Sequence, residues 1–191
     1  MDDIIRTRIV HAAAELFKVK GYRSATLSEL ASQLGMSKKT LYMYFTGKEQ
    51  IAEAVIELML SAIETKVKEA RLQGGSPLEI FRTAFRSIRR EITQLNPMFL
   101  EDVQKFVPGL WERIEQFRTR QLSFLEGLLV QARQEGLIRE LNPKLTSVIM
   151  LDSIQRYVRP DFAAKHGVAI MDVADTLFTL LFEGIRTNDK E

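Results

Sequence analysis

Along this chain apolar residues recur three and four positions apart, the spacing of amphipathic helices. From residue 3 to about 20, Ile5, Ile9, Ala12, Ala13, Leu16 and Phe17 share one stripe, and Gly21 ends the helix. Leu27, Leu30, Ala31 and Leu34 then give a short apolar face. Thr26, with Glu29 three residues on, has the spacing of a capping box, and Gly35 stops this helix because glycine takes a left-handed C-cap cheaply. Ser37 can cap the next helix, whose inner face carries Leu41 and Phe45 four apart. Thr46 and Glu49 repeat the capping-box spacing at the head of a longer helix, from about 47 to 73, striped with Ile51, Val55, Leu58, Met59, Ala62 and Val67.

Gly74-Gly75-Ser76-Pro77 is the clearest punctuation in the sequence. Ser76, Pro77 and Glu79 open a helix with Phe81, Phe85, Ile88 and Ile92 as its buried face. Arg82, Arg86, Arg89 and Arg90 run beside that face as a solvated stripe; one of them turned inward would pair with an acidic ligand. Asn96-Pro97 breaks the pattern, and Met98 to Phe106 reads as a short helix or irregular turn. After Pro108-Gly109 a long helix runs from about Leu110 to Gln134, closed by Gly136. Asn142-Pro143 opens another to about Tyr157, ended by Arg159-Pro160, and a loop through Gly167 leads to a last helix from about Val168 to Arg186. The expectation is an all-α protein.

Helix, glycine turn and second short helix, over residues 26–45, make a helix-turn-helix pattern. The second helix of such a unit enters the DNA major groove, so its outward face carries the chemistry. With Leu41 and Phe45 fixing the core direction, Lys39, Thr40, Tyr42 and Met43 fall on or beside the opposite face. A cation, a hydroxyl, a phenol and a flexible apolar group suit phosphates, base edges and thymine methyls. Tyr44 flanks that face within reach of a phosphate. Lys48 stands in the first turn of the following helix, where it opposes the helix dipole unless both meet one phosphate.

This segment resembles the DNA-binding domain of the TetR family of bacterial regulators, through Thr26, Leu30, Ala31, Leu34, Gly35, Ser37, Thr40, Leu41, Tyr42, Tyr44, Phe45, Lys48 and Glu49. Ala13, Ala14, Leu16, Phe17, Gly21 and Tyr22 extend the match over about the first fifty residues. The resemblance implies a helix-turn-helix DNA-binding domain over 1–48 and a helical effector-binding and dimerisation domain over 49–191, the helix from about 47 to 73 linking them. It implies a homodimer that binds a double-stranded operator and is released by a small-molecule effector. Thr26, Ser37, Lys38, Lys39, Thr40, Tyr42, Tyr44 and Lys48 are the expected DNA contacts. Phe85, Met98, Phe99, Phe106, Trp111 and Phe117 are the expected pocket lining, in the aromatic-rich middle of the chain. Ile149, Ile154, Val173, Leu177 and Leu181, on the last two long helices, are the expected dimer face.

Charge supports that polarity. Residues 1–50 carry eight Lys and Arg against five Asp and Glu, a net of +3, on a chain whose overall net charge is only +2. A non-specific architectural binder would need neither the large body nor such weak overall charge. With no cysteine there is no disulfide or thiolate metal site, His11 has no second ligand at metal spacing, and His166 sits in a polar loop. No metal or cofactor is expected. GxSxG, HExxH and a phosphate-binding glycine loop are all absent, and the adjacent acids Glu101 and Asp102 point differently on a helix and read as surface, so no enzyme is expected. The start of the chain is not a secretory signal, no stretch is apolar enough to span a membrane, and the cytoplasm is the expected compartment.

Overall fold

The computed structural model describes residues 2–93 and 97–187, with the side chains of 89, 92, 93, 97 and 160 excepted. Asn96 and the side chains of Arg89 and Ile92, which figured in the sequence reading, lie outside what is described. Ten helices follow one another among the described residues: α1 (Asp2–Ser24), α2 (Leu27–Leu34), α3 (Lys38–Tyr44), α4 (Lys48–Gln73), α5 (Pro77–Thr93), α6 (Pro97–Phe106), α7 (Pro108–Gln134), α8 (Pro143–Tyr157), α9 (Pro160–Lys165) and α10 (Ile170–Ile185). The helix starts are those the caps dictate. Thr26 and Glu29 exchange both capping-box hydrogen bonds, Ser37 Oγ accepts from the Thr40 amide at 3.0 Å, and Asn142 Oδ1 accepts from the Leu145 amide at 3.0 Å. At α4 the partner differs from the expected one. The Thr46 amide donates to Gln50 Oε1 at 2.7 Å rather than to Glu49, because the helix begins only at Lys48 and the carboxamide is the group that reaches back.

The chain forms two compact units, Met1–Ala62 with Gln94–Glu115, and Ile63–Thr93 with Gln116–Glu191. The division therefore falls inside α4 and α7 rather than at residue 48, and α6 joins the first unit. The reason is burial. Three short helices cannot cover a core of their own, and α1 packs along α6. Ile9, Ala13 and Phe17 of α1, Leu30 of α2, Leu41 of α3, Ile51 and Val55 of α4, and Phe99 and Val103 of α6 are all buried. Phe17 and Phe99 stack with centroids 5.1 Å apart and planes 12° from parallel. The segment read as a short helix or irregular turn is thus a regular helix.

In the second unit α10 packs on α5, α8 and α9. Phe85 stacks on Phe81 at 5.8 Å and meets Phe178 at 5.6 Å, and Phe178 stacks on Phe182 at 5.4 Å. Leu125, Leu129 and Ala132 of α7 and Met150, Leu151 and Ile154 of α8 complete this core. The end of α10 is tied to the turn after α7, where the Arg139 amide donates to the Ile185 carbonyl at 2.9 Å. Residues 160–165, expected within a loop, form α9, a helix of six residues that is too short to show a period.

Candidate nucleic-acid interface

The helix-turn-helix closes on a single glycine. Gly35 takes φ 65° and ψ 31°, and its amide reaches back to the Ala31 and Ser32 carbonyls, which turns the chain from α2 into the cap of α3. Leu41 and Phe45 are 1% and 2% exposed, while Tyr42 and Met43 are 54% and 76% exposed. Lys38 and Lys39 are exposed beside them. One side of α3 is therefore spent on the core and the other presents two cations, a phenol and a thioether to solvent. The remaining expected contacts have structural tasks as well. Thr26 Oγ1 accepts from the Glu29 amide at 3.2 Å and donates to Glu29 Oε2 at 2.9 Å. Ser37 Oγ lies 2.9 Å from Thr40 Oγ1. Thr40 and Tyr44 are half-buried.

Lys48 is held rather than extended. Its ammonium donates to the Arg23 carbonyl at 3.1 Å and sits 4.6 Å over the Tyr22 ring. Burial lowers its pKa, and the Asp102 and Glu29 carboxylates oppose that shift. From the other side Asp102 Oδ2, on α6, accepts from the Arg23 amide at 2.7 Å. The main chain of Arg23, in the last turn of α1 beyond the Gly21 kink, is thereby gripped by α4 and α6. Gly21 makes the grip possible. Its φ of 74° breaks α1, and a Cβ there would lie 3.1 Å from Asp102 Oδ2. The sequence reading placed Asp102 on the surface and missed this role, since its partner is 79 residues away.

The Lys20–Glu29 ion pair ties α1 to α2. The Lys20 ammonium, and after it the Thr26 hydroxyl and amide, hold the Glu29 carboxyl down at about 2. An unfolded glutamate titrates at about 4.3. The folded value being the lower one, this group adds stability that is fully present above the unfolded value and is lost as pH falls through the folded one. A carboxyl-carbon titration of Glu29 by NMR will give a midpoint near 2; a midpoint near the unfolded value would contradict the ion-paired cap.

The six residues expected to line a pocket do not come together within either unit. Met98, Phe99, Phe106 and Trp111 belong to the first, and Phe85 and Phe117 to the second. Phe99 is committed to Phe17, Phe106 is 45% exposed with the Arg23 guanidinium 5.5 Å from its ring, and Phe85 is locked in the α5–α10 aromatic stack. Arg82, Arg86 and Arg90 are exposed, and Arg86 lies 4.7 Å over the Phe178 ring. Of the residues expected on a dimer face, Ile154 is only 1% exposed and points into its own unit's core. Ile149 is 48% exposed, and Val173, Leu177 and Leu181 are half-buried. Leu145, Met171 and Leu180, which were not among the expected dimer residues, are 57%, 51% and 68% exposed. Leu180 also lines an apolar groove of about 310 Å³, together with Tyr157, Phe162, Val168, Val173 and Leu177.

Residues 9–55 match the sequence profile of bacterial regulatory proteins of the tetR family. Over 187 residues, 96% of each chain, the sequence is 30% identical to the HTH-type transcriptional regulator YvaF of Bacillus subtilis. The chain belongs to the TetR family. It is a DNA-binding transcriptional regulator of that family, and its helix-turn-helix is the family's N-terminal domain. The TetR family regulator PfmR of Thermus thermophilus is similar in structure, with a TM-score of 0.73 and 26% identity over 94% of this chain and all of that one. The transcriptional regulator FadR of Bacillus subtilis, solved with stearoyl-CoA, has the same fold at a TM-score of 0.68, with 21% identity over 94% of this chain and 99% of that one. Among the described residues no helix is long and apolar enough to cross a membrane, and no group of three or more His, Asp or Glu side chains is placed to hold a metal ion.

Proposed function

We propose that this TetR-family regulator is a homodimeric repressor that reads a palindromic operator with α3 and lets go of it when a small-molecule effector binds. The observation that carries the reading is the outward face of α3, which holds Lys38, Lys39, Tyr42 and Met43 clear of any structural task. Lys38 and Lys39 meet phosphates, as do the capped N-termini at Thr26 and Ser37, and Thr40 and Tyr44 add hydroxyl contacts to the backbone. Tyr42 reads a base edge. Lys48 contributes one of its remaining N–H groups to a phosphate while anchoring Arg23. Tyr42→Ala will narrow the gap between operator and random DNA by about 1–2 kcal/mol, whereas Lys39→Ala will weaken both alike and flatten the salt dependence. Fluorescence anisotropy on both DNAs over a salt series checks this; equal losses for the two variants would refute the division of roles.

The dimer forms through the exposed apolar side chains of α8 and α10, with Leu145, Ile149, Met171 and Leu180 covered by the same residues of a second copy. Leu180→Glu will sediment as a monomer where the parent sediments as a dimer; an unchanged sedimentation coefficient would place the interface elsewhere.

The effector is a fatty acyl thioester of coenzyme A. The full-length likeness to FadR, whose structure holds stearoyl-CoA, supports this class, as does the almost wholly apolar core of the second unit. Palmitoyl-CoA will release the protein from its operator, and coenzyme A alone will not. Release by neither would remove this effector class.

A further inference from the structure

Among the described residues two polar side chains are buried, Gln121 and Ser147. Ser147 on α8 satisfies itself, its hydroxyl donating to the Lys144 carbonyl at 2.9 Å. Gln121 on α7 is more than nine-tenths buried, and its Oε1 is shut off from solvent and accepts no hydrogen bond. Its position makes this costly. Phe117 one turn before and Leu125 one turn after are buried on the same stripe of α7, and Leu128 continues it. An apolar residue at 121 would complete that stripe. The Gln121 Oε1 there loses its water without gaining a hydrogen bond, which destabilises the core unless something from outside supplies the missing hydrogen. Arg118, one turn before on the same helix, is half-buried and paired with Asp152 of α8.

We infer that Gln121 is the polar anchor of the effector site in the second unit, its Oε1 accepting a hydrogen bond from an amide N–H or hydroxyl of an otherwise apolar ligand. This rests on the effector-responsive reading above and adds a residue and a chemical requirement to it. An acyl-CoA meets the requirement, since its pantetheine arm carries amide N–H groups at the end of the acyl chain. A ligand with acceptors only, such as a simple ester, leaves Oε1 unmet. The structural alternative, in which Gln121 braces the core, makes the opposite prediction for stability, because replacing a brace weakens a fold whereas replacing an orphan strengthens it.

The test uses full-length protein, the variants Gln121→Leu and Gln121→Met (the latter the closer in shape), and two probes, N-dodecylacetamide and its N-methyl analogue, which lacks the N–H. Both variants will melt at a higher temperature than the parent without ligand. The parent will bind the secondary amide about tenfold more tightly than the N-methyl analogue, and either variant will bind the two alike. A lower melting temperature for both variants overturns the inference. So does a parent that binds the two probes equally, or binds neither, and so do variants that keep the preference. Palmitoyl-CoA run in parallel separates the two claims. Operator release by palmitoyl-CoA that both variants share equally with the parent leaves the effector class standing and removes Gln121. A parent that ignores palmitoyl-CoA but prefers the secondary amide removes the effector class and keeps Gln121.

Discussion

Phe99→Ala will destabilise the protein by about 3–5 kcal/mol, the largest loss expected of any single substitution considered. Phe99 is 1% exposed and stacked on Phe17, so truncation removes a whole ring from a closed core and leaves a cavity between the two helices that it joins. The effect will reach function, because α2 packs on α1 and α3 packs on α2. Chemical denaturation will show a lowered midpoint with the slope little changed. Phe99→Leu, which keeps most of the apolar volume, will recover more than half of the loss. If Phe99→Ala unfolds like the parent, then α6 does not support the head and the first unit ends where the sequence reading put it.

Asp102→Ala will cost about 1.5–3 kcal/mol in stability, the range of hydrogen bonds to a charged acceptor, and will weaken operator binding as well. The sign of the second effect decides between two accounts. Removing a negative charge from a DNA-binding unit strengthens binding if electrostatics alone acts. It weakens binding if the carboxylate is needed to hold Arg23, and through it the angle between α1 and α2. Asp102→Asn keeps an acceptor for the Arg23 amide and will retain most of the affinity, with a salt slope equal to the parent's since no phosphate contact is lost. Tighter operator binding by Asp102→Ala would mean that the grip on Arg23 is incidental.

What the sequence could and could not convey follows the range of the interactions involved. The capping boxes at Thr26 and Ser76, the glycine stop at Gly35 and the inward pair Leu41 and Phe45 act within four residues of themselves, so each was legible from spacing. Gln50 was missed as the partner of Thr46 because two side chains one residue apart could both reach back, and only the helix start chooses between them. Periodicity gives a face but not its partner. The segment from Met98 to Phe106 reads from sequence as a short helix or irregular turn, and nothing in residues 97–106 says that it packs on a helix some eighty positions earlier, which is why Phe99 reads as a pocket wall and Asp102 as surface. Closeness in sequence between 81 and 124 does not say which aromatic residues share a unit, and the two compact units divide them. On α8 both faces carry apolar side chains, so Ile154 and Ile149 could not be told apart until one proved buried and the other exposed. Gln121 was passed over because a single polar residue in an apolar stripe attracts notice only when its lack of a partner can be seen.

Sequence reading by α3 is the central claim, and selection of DNA fragments from a random pool by the purified protein at near-physiological salt tests it most directly. One palindrome will be recovered, enriched over rounds, with half-sites spaced by about one helical turn or a multiple of it. Recovery without any shared sequence, disappearing as salt is raised, would contradict the claim and leave α3 as a phosphate-binding helix alone.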